Sequence, residues 1–219
     1  MKRRYRLAKG CLIGLVLLLV CGCTSGGSGK PLFQDDFDDA SSGWGADERQ
    51  EFDRGYEAGD YFIELYESNW LAWACPGQRF DDVSVEVQVS LISGLQDGHF
   101  GVLCRHIDLD NFYYFAISAD GYYAIFRRVD GGDLEPLTGD GEGMVYSSAI
   151  KTGEQSNDIR AVCQGDELSF YINGELLETV SDDSHARGDV GIGAGSGSAG
   201  GGRVQFDNFV VTKPQDGGS

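Results

Sequence analysis

The sequence predicts an all-β fold, a two-sheet antiparallel jelly-roll sandwich. Residues 83–90 alternate valine with a polar residue, which is typical of a strand with one buried and one wet face. Turn dipeptides such as Asp120-Gly121 and Asn173-Gly174 separate short apolar segments, and residues 30–214 contain no sustained helical stripe. Because an all-strand chain must bury one face of each sheet, two packed sheets are expected.

Other segments with the same alternation predict the remaining strands. They are residues 60–66, 70–74, 100–105, 111–118, 122–129, 157–163, 168–172, 176–180, 190–194 and 203–212. The glycine-rich segment 193–202 lacks a following Lys-Ser or Lys-Thr pair, so it predicts a flexible loop and not a phosphate-binding loop.

The turn dipeptides also predict strand register, because Asp-Gly and Asn-Gly favour two-residue turns with positive φ at both positions. Around Asp120-Gly121, Ala119 is then expected to pair with Tyr122. A register fixed in this way determines which side chains share one face of the sheet.

That register predicts an exposed binding surface that mixes tyrosine rings with arginine donors. It places Tyr114, Tyr123 and Arg127 on one face, beside the strand that carries Arg105. Aromatic rings can stack on sugars while hydroxyl and guanidinium groups form hydrogen bonds. Packing in the core is the alternative for each of these aromatic residues. The predicted ligand-binding residues are Arg105, Tyr114, Tyr123, Arg127 and Trp73.

The N-terminus has the pattern of a bacterial lipoprotein signal. A basic start precedes an apolar run from Leu12 to Val20, and Gly22 stands before Cys23. The run is shorter than the roughly 20 residues that span a bilayer. We therefore expect a signal peptide over residues 1–22, a lipidated Cys23 with a Gly/Ser tether over 23–29, one domain over 30–214 and a disordered tail over 215–219. The protein would lie in the bacterial cell envelope, facing outside the cytoplasm.

The formal net charge of −18 excludes some classes of partner. Nucleic acid and anionic headgroups are repelled by such a chain, so membrane contact is expected through the lipid on Cys23 only. The acidity is typical of a soluble surface, and some of the carboxylates could also bind a divalent cation.

Several segments between residues 31 and 212 are similar to those of one superfamily. They are Phe33-Gln34-Asp35-Asp36-Phe37, Gly43-Trp44, Phe100-Gly101-Val102-Leu103-Cys104-Arg105, Asn111-Phe112-Tyr113-Tyr114-Phe115, Asp166-Glu167-Leu168, Tyr171-Ile172-Asn173-Gly174 and Val204-Gln205-Phe206-Asp207-Asn208-Phe209-Val210-Val211. In them the chain resembles the concanavalin A-like lectin/glucanase superfamily, and within it the laminin G-like and 3-keto-disaccharide hydrolase-like jelly-roll domains of bacterial surface lipoproteins.

The resemblance implies a fold but leaves the function open, because the superfamily includes lectins, glycosidases and adhesion modules. The leading hypothesis is a binding module for neutral carbohydrate. The alternatives are a glycoside-cleaving enzyme of the 3-keto-disaccharide hydrolase type and a protein-binding adhesion module. Glycosidases need two carboxylates beside the scissile bond, and the nearest acidic string, Glu51 to Glu57, has neither the spacing nor the position of the family motif.

The resemblance also implies one disulfide and one metal site. Cys104 and Cys163 look like a cysteine pair of the family and would pair outside the cytoplasm, which leaves Cys75 as a free thiol. In the family the opening and closing strands pair, which would bring Asp36 near Asp207 as ligands of a structural Ca²⁺. Solvated turn carboxylates are the alternative for these two residues. The three histidines fit no zinc spacing.

We predict that Cys23 carries the lipid at the mature N-terminus. Mass spectrometry of the N-terminal peptide from the membrane-extracted protein should show acyl chains on Cys23. An unlipidated chain that begins at another residue would contradict this prediction.

Overall fold

The computed structural model describes residues 30–95, 97–141 and 143–215, and these form two antiparallel sheets. The predicted signal peptide, Cys23 and the tether lie outside the described residues. The strands are β1 Phe33–Asp35, β2 Asp47–Glu48, β3 Phe52–Glu57, β4 Asp60–Leu65, β5 Leu71–Ala74, β6 Arg79–Phe80, β7 Val83–Gly94, β8 His99–Asp108, β9 Asn111–Ile117, β10 Tyr122–Arg128, β11 Glu135–Pro136, β12 Val145–Tyr146, β13 Asn157–Gln164, β14 Glu167–Ile172, β15 Glu175–Ser181, β16 Gly188–Gly195 and β17 Gly202–Thr212.

The two sheets have nine and eight strands. The first sheet runs β15-β14-β13-β7-β17-β4-β3-β2, with β1 also paired to β17. The second runs β11-β10-β9-β8-β16-β5, with β12 paired to β10 and β6 to β16. Neighbouring strands come from distant parts of the sequence, as in a jelly roll, so the predicted all-β sandwich is confirmed. Among the described residues, no helix is long and apolar enough to cross a membrane.

The main core lies between the two sheets. The first sheet contributes the valines of β7 together with Phe170 and Phe206, and the second contributes Phe115 and Ile192. These side chains are almost fully buried, because alternate residues of each strand point to the same side of the sheet. The alternation seen in residues 83–90 therefore predicted the buried face of β7 correctly.

One of the two predicted hairpin registers is confirmed and the other is wrong. Asn173 and Gly174 both have positive φ, and Ile172 pairs with Glu175 around a two-residue turn. In the other hairpin, Ile117 and not Ala119 begins the ladder, opposite Tyr123.

The wrong register has a local cause in the turn from Ser118 to Tyr122. The Ser118 hydroxyl bonds to the Asp120 carboxylate and accepts a hydrogen bond from the Tyr122 amide at 3.1 Å. The backbone amide of Ser118 also donates to the Tyr122 carbonyl, so three residues and not two form the loop. The pairing shifts by one residue, which moves every side chain of β10 to the opposite face.

Cys104 and Cys163 form the predicted disulfide, with their Cα atoms 6.9 Å apart. It joins β8 of the second sheet to β13 of the first and so fastens the two layers to each other. Cys75 is a free thiol, and burial raises its pKa.

Both described chain ends lie at the same end of the sandwich. The Leu32 amide donates to the Val211 carbonyl, and Phe33 pairs with Val211, as the predicted contact between opening and closing strands requires. We call this the terminal end; the turn between β8 and β9 also lies there. The distal end carries the turn between β9 and β10 and the start of β17.

We predict that replacing Cys104 with Ala destabilises the domain. The disulfide spans 59 residues, and closing a loop of that length is worth about 4 kcal/mol in the chain-entropy model. Urea unfolding with and without reductant measures the change, and the reduced wild type should match C104A. An unchanged free energy of unfolding would show that the cross-link adds nothing.

Candidate binding face

The outer face of the second sheet carries a second apolar cluster. β9 and β10 are apolar on both of their faces, which is unusual for an antiparallel sheet with a solvated side. On β9, Tyr113, Phe115 and Ile117 point into the main core, and the alternate residues point outward. We call this outer surface of the second sheet the aromatic face. Its buried members are Leu103, Phe112, Tyr114, Ala116, Ala124 and Phe126, and its partly buried members are Leu71, Trp73, Leu134 and Met144.

The accessible part of the aromatic face is built around Trp73. Its ring lies 5.5 Å from Phe112 and 6.0 Å from His106, measured between ring centroids. Phe112 is buried, whereas Trp73 and His106 are half-buried and reach the surface. The Arg128 guanidinium lies 6.0 Å from the centre of the Phe112 ring. This Trp73 cluster thus offers an indole face with hydrogen-bonding groups at its edge.

A hydrogen bond determines which ring nitrogen of His106 carries the proton. The indole Nε1 of Trp73 donates to Nε2 of His106 at 3.1 Å, and because an indole N–H only donates, this nitrogen must accept. Burial lowers the pKa of His106, although Asp108 opposes the shift. The neutral ring therefore carries its proton on Nδ1, which has no hydrogen-bond partner among the described residues and can donate to a ligand.

A second ring cluster lies beside the first, around His99. The His99 ring is 5.4 Å from Tyr114 and 5.8 Å from Phe126. The Tyr114 hydroxyl donates to the Gly193 carbonyl at 3.2 Å and lies 3.2 Å from Nδ1 of His99. Burial lowers the pKa of His99 to about 4, so this ring is also neutral near pH 7.

The glycines of β16 make room for these rings. Val190, Ile192 and Ala194 of this strand point into the main core, so the glycines between them face outward. A Cβ added at Gly195 would lie 2.2 Å from the His99 ring, and one at Gly193 would lie 3.1 Å from Leu103. The glycine-rich pattern of residues 193–202 predicted a flexible loop, but residues 193–195 end a buried strand.

The rings of the aromatic face are apolar, with charged groups beside them. β5, β9 and β10 contain no Asp or Glu, whereas Asp108 of β8 acts on His106 and Asp189 of β16 lies opposite it in register. Both acids accept hydrogen bonds from backbone amides, Asp189 from Gly77 and Gln78 and Asp108 from Asp110. Arg128 has a buried Nε without a hydrogen-bond partner among the described residues. Rings that stack on C–H surfaces and donors at their edge suit a polyhydroxylated neutral ligand.

Three of the five predicted ligand-binding residues lie elsewhere, so the predicted shared face is wrong. Trp73 and Tyr114 are on the aromatic face, but Tyr123 is 6 % exposed and points between the sheets, 6.0 Å from Phe170. Its hydroxyl bonds to Glu178 at 3.1 Å. The cause is the one-residue shift in the register of β10.

Arg105 and Arg127 hold loops at the terminal end. Arg105 is 1 % exposed and donates to the carbonyls of Gly165 and His185, both at 2.8 Å. It sits at a register shift in β8 with φ of +52°, which turns its side chain inward. Arg127 forms ion pairs with Asp182 at 2.5 Å and Glu135 at 2.7 Å. Neither guanidinium lies on the aromatic face.

Several residues of the aromatic face were missed by the sequence analysis. His99 and His106 fit no metal spacing and so gave no signal. The useful signal was the alternation of glycine with apolar residues in β16, together with the continuous apolar run of residues 112–117 in β9. The missed residues are His99, His106, Phe112, Phe126 and Arg128.

The predicted calcium ligands are placed near the paired opening and closing strands. Asp36 accepts a hydrogen bond from the Asp38 amide at 3.4 Å, and Asp207 accepts one from the Asn208 amide at 2.6 Å. Burial raises the pKa of Asp60, and the charge of Asp207 adds to this shift. Among the described residues there is no group of three or more His, Cys, Asp or Glu that could hold a metal ion. The calcium site stays a prediction.

Several solved structures share this architecture. The carbohydrate binding module CBM66 from Bacillus subtilis is 15 % identical at a TM-score of 0.52, covering 78 % of this chain and 93 % of that one. A Bacillus subtilis protein of unknown function with a galectin-like fold is 10 % identical at a TM-score of 0.63, covering 84 % and 96 %. The GH43 BlXynB protein from Bacillus licheniformis is 15 % identical at a TM-score of 0.56, covering 83 % and 39 %.

These likenesses establish the fold. No protein-family model matches the chain, and no curated protein sequence matches it either. The chain has a concanavalin A-like β-sandwich fold, as the resemblance in its sequence implied.

We predict that Tyr123 behaves as a core residue. Replacing Tyr123 with Ala should destabilise the domain by about 3 kcal/mol or more, because it leaves a cavity between the sheets. The neighbouring Tyr122 is 40 % exposed on the other face, and Tyr122→Ala should cost less than about 1 kcal/mol. Urea unfolding compares the two variants, and equal losses would contradict the observed register.

Proposed function

We propose that this protein is a lipid-anchored, extracytoplasmic carbohydrate-binding module that binds neutral glycans on the aromatic face of its second sheet. The observation that carries the proposal is the Trp73 cluster, an accessible indole ring with the free Nδ1–H of a neutral His106 at its edge. A ring and an adjacent donor match the apolar face and the hydroxyl oxygens of a sugar. CBM66, a structural neighbour, is named a carbohydrate binding module.

The charge distribution supports a neutral ligand. The chain has a net charge of −18, which raises the energy of approach for an anionic polysaccharide. The lowered pKa values of His99 and His106 keep both rings uncharged near pH 7. Among the described residues next to these rings, the cation is Arg128. One guanidinium gives a local donor without offsetting the overall charge.

Binding is favoured over cleavage by the residue types on the face. One structural neighbour is a GH43 protein, which makes a glycoside-cleaving activity the natural second hypothesis. A general acid and a second carboxylate would have to flank the sugar. The two acids beside His106, Asp108 and Asp189, accept hydrogen bonds from backbone amides, whereas the side chains in contact with Trp73 are rings.

Export and anchoring rest on the sequence pattern around Cys23. The first described residues lie at the terminal end, so a tether over residues 24–29 would join the lipid to the domain there. A structural Ca²⁺ held by Asp36 and Asp207 would stabilise the same end, by tying the opening strand to the closing one.

We predict that Trp73→Ala weakens glycan binding by up to about tenfold without unfolding the domain, because one stacking contact is worth about 0.5 to 1.5 kcal/mol beyond burial. A glycan array with neutral and anionic members identifies the ligand, and titration calorimetry gives the affinity. Tyr171→Ala is the matched control, since Tyr171 lies under Arg160 on the outer face of the first sheet. Equal affinity of W73A and wild type, or binding of anionic glycans alone, would refute the proposal.

A further inference from the structure

A pair of exposed tyrosines lies on the aromatic face, far from Trp73. Tyr122 is 40 % exposed and Tyr146 is 60 % exposed. The two are directly opposite each other on β10 and β12, with ring centroids 5.7 Å apart in an edge-to-face contact. Single exposed apolar residues are common on protein surfaces, but a contacting pair beside an apolar cluster marks a candidate interaction surface.

The strand order gives the distance between this tyrosine pair and Trp73. From β10 the sheet continues through β9, β8 and β16 to β5, which makes four strand spacings, or about 19 Å. β12 lies beyond β10 on the opposite side from β9, so Tyr146 is one spacing further away. Two aromatic platforms, the half-buried Trp73 and the exposed tyrosine pair, therefore lie near the two edges of one face.

The surface between the platforms is apolar and uncharged. The glycines of β16 and the alanines Ala116 and Ala124 are themselves buried, because rings and loop side chains cover them. The covering side chains are Tyr114, Phe126, the neutral His99, Leu134 and Met144. A ligand that reached from Trp73 to Tyr122 would therefore pass over these uncharged side chains.

We propose that the aromatic face binds an extended segment of a linear neutral polysaccharide, several sugar residues long, with Trp73 and the Tyr122–Tyr146 pair as two separate stacking platforms. This inference rests on the proposed function and specifies its ligand class. A monosaccharide or disaccharide reaches one platform only, because the platforms are separated by about 19 Å. A longer chain contacts both at once, and each contact adds to its affinity.

The test measures whether the loss of each platform changes the affinity for short and long ligands differently. Full-length protein in detergent micelles is titrated with matched di- and hexasaccharides of the cello, xylo, manno, laminari and fructo series. The variants are Tyr146→Ala and Trp73→Ala, and the matched control is Tyr66→Ala. Tyr66 is a 47 % exposed tyrosine that follows β4 of the first sheet. Thermal melting of each variant verifies folding, and Tyr146→Phe, which keeps the ring, should retain wild-type affinity.

We expect a hexasaccharide to bind more tightly than the disaccharide of its series. Y146A should reduce the affinity for the hexasaccharide about three- to tenfold and leave the affinity for the disaccharide unchanged. W73A should weaken both. Equal affinities for the two lengths, or no effect of Y146A on the hexasaccharide, would overturn the extended site while leaving the proposed function intact. If no series binds at any length, the proposed function fails and this inference with it.

Discussion

The second sheet has to bury apolar side chains on both of its faces, and the rest of the structure depends on this constraint. Its inner face closes the main core, whereas its outer face, in the described part of the chain, packs its own rings against the loop residues Leu134 and Met144. Rings lie flat on a sheet only where the strand beneath has no side chains, which β16 provides through its outward glycines. The same strands therefore determine both the core and the aromatic face, and neither can change alone.

A buried polar network fixes which residues of β9 point inward. The Tyr113 hydroxyl donates to the Asp182 carboxylate at 2.5 Å and accepts from the His185 amide at 3.1 Å. The His185 carbonyl in turn accepts from Arg105. A slip of β9 by one residue would leave these buried groups without partners, at a cost of about 1 to 3 kcal/mol each. Arg127 of β10 forms an ion pair with Asp182 at the edge of this network. The network therefore holds the register of both β9 and β10.

The sequence predicted the strands well and the faces less well, for a physical reason. Where one face is wet, as in residues 83–90, alternation shows which side is buried. In β9 and β10 residues 112–117 and 123–126 are all apolar, so alternation is absent there and only the turn could set the register. The turn signal failed because the Ser118 hydroxyl competes for the Tyr122 amide, a contact that Asp120-Gly121 alone does not reveal. The sequence predicts Trp73 as a candidate ligand residue, but its partner His106 comes 33 positions later and becomes adjacent only through pairing of both their strands with β16.

The positions of the chain ends and of the two platforms define how the proposed glycan would lie on the domain. Trp73 pairs with Gly193, and His99 pairs with Gly195, so the path from Trp73 through His99 toward Tyr122 runs across the strands and not along them. The axis from the terminal end to the distal end runs along the strands. In the lipid-anchored protein that we propose, the tether attaches at the terminal end, so the distal end is the end of the sandwich opposite the attachment point. A polysaccharide bound to both platforms would cross the sheet perpendicular to this axis, and its two ends would leave the aromatic face at opposite edges of the sheet.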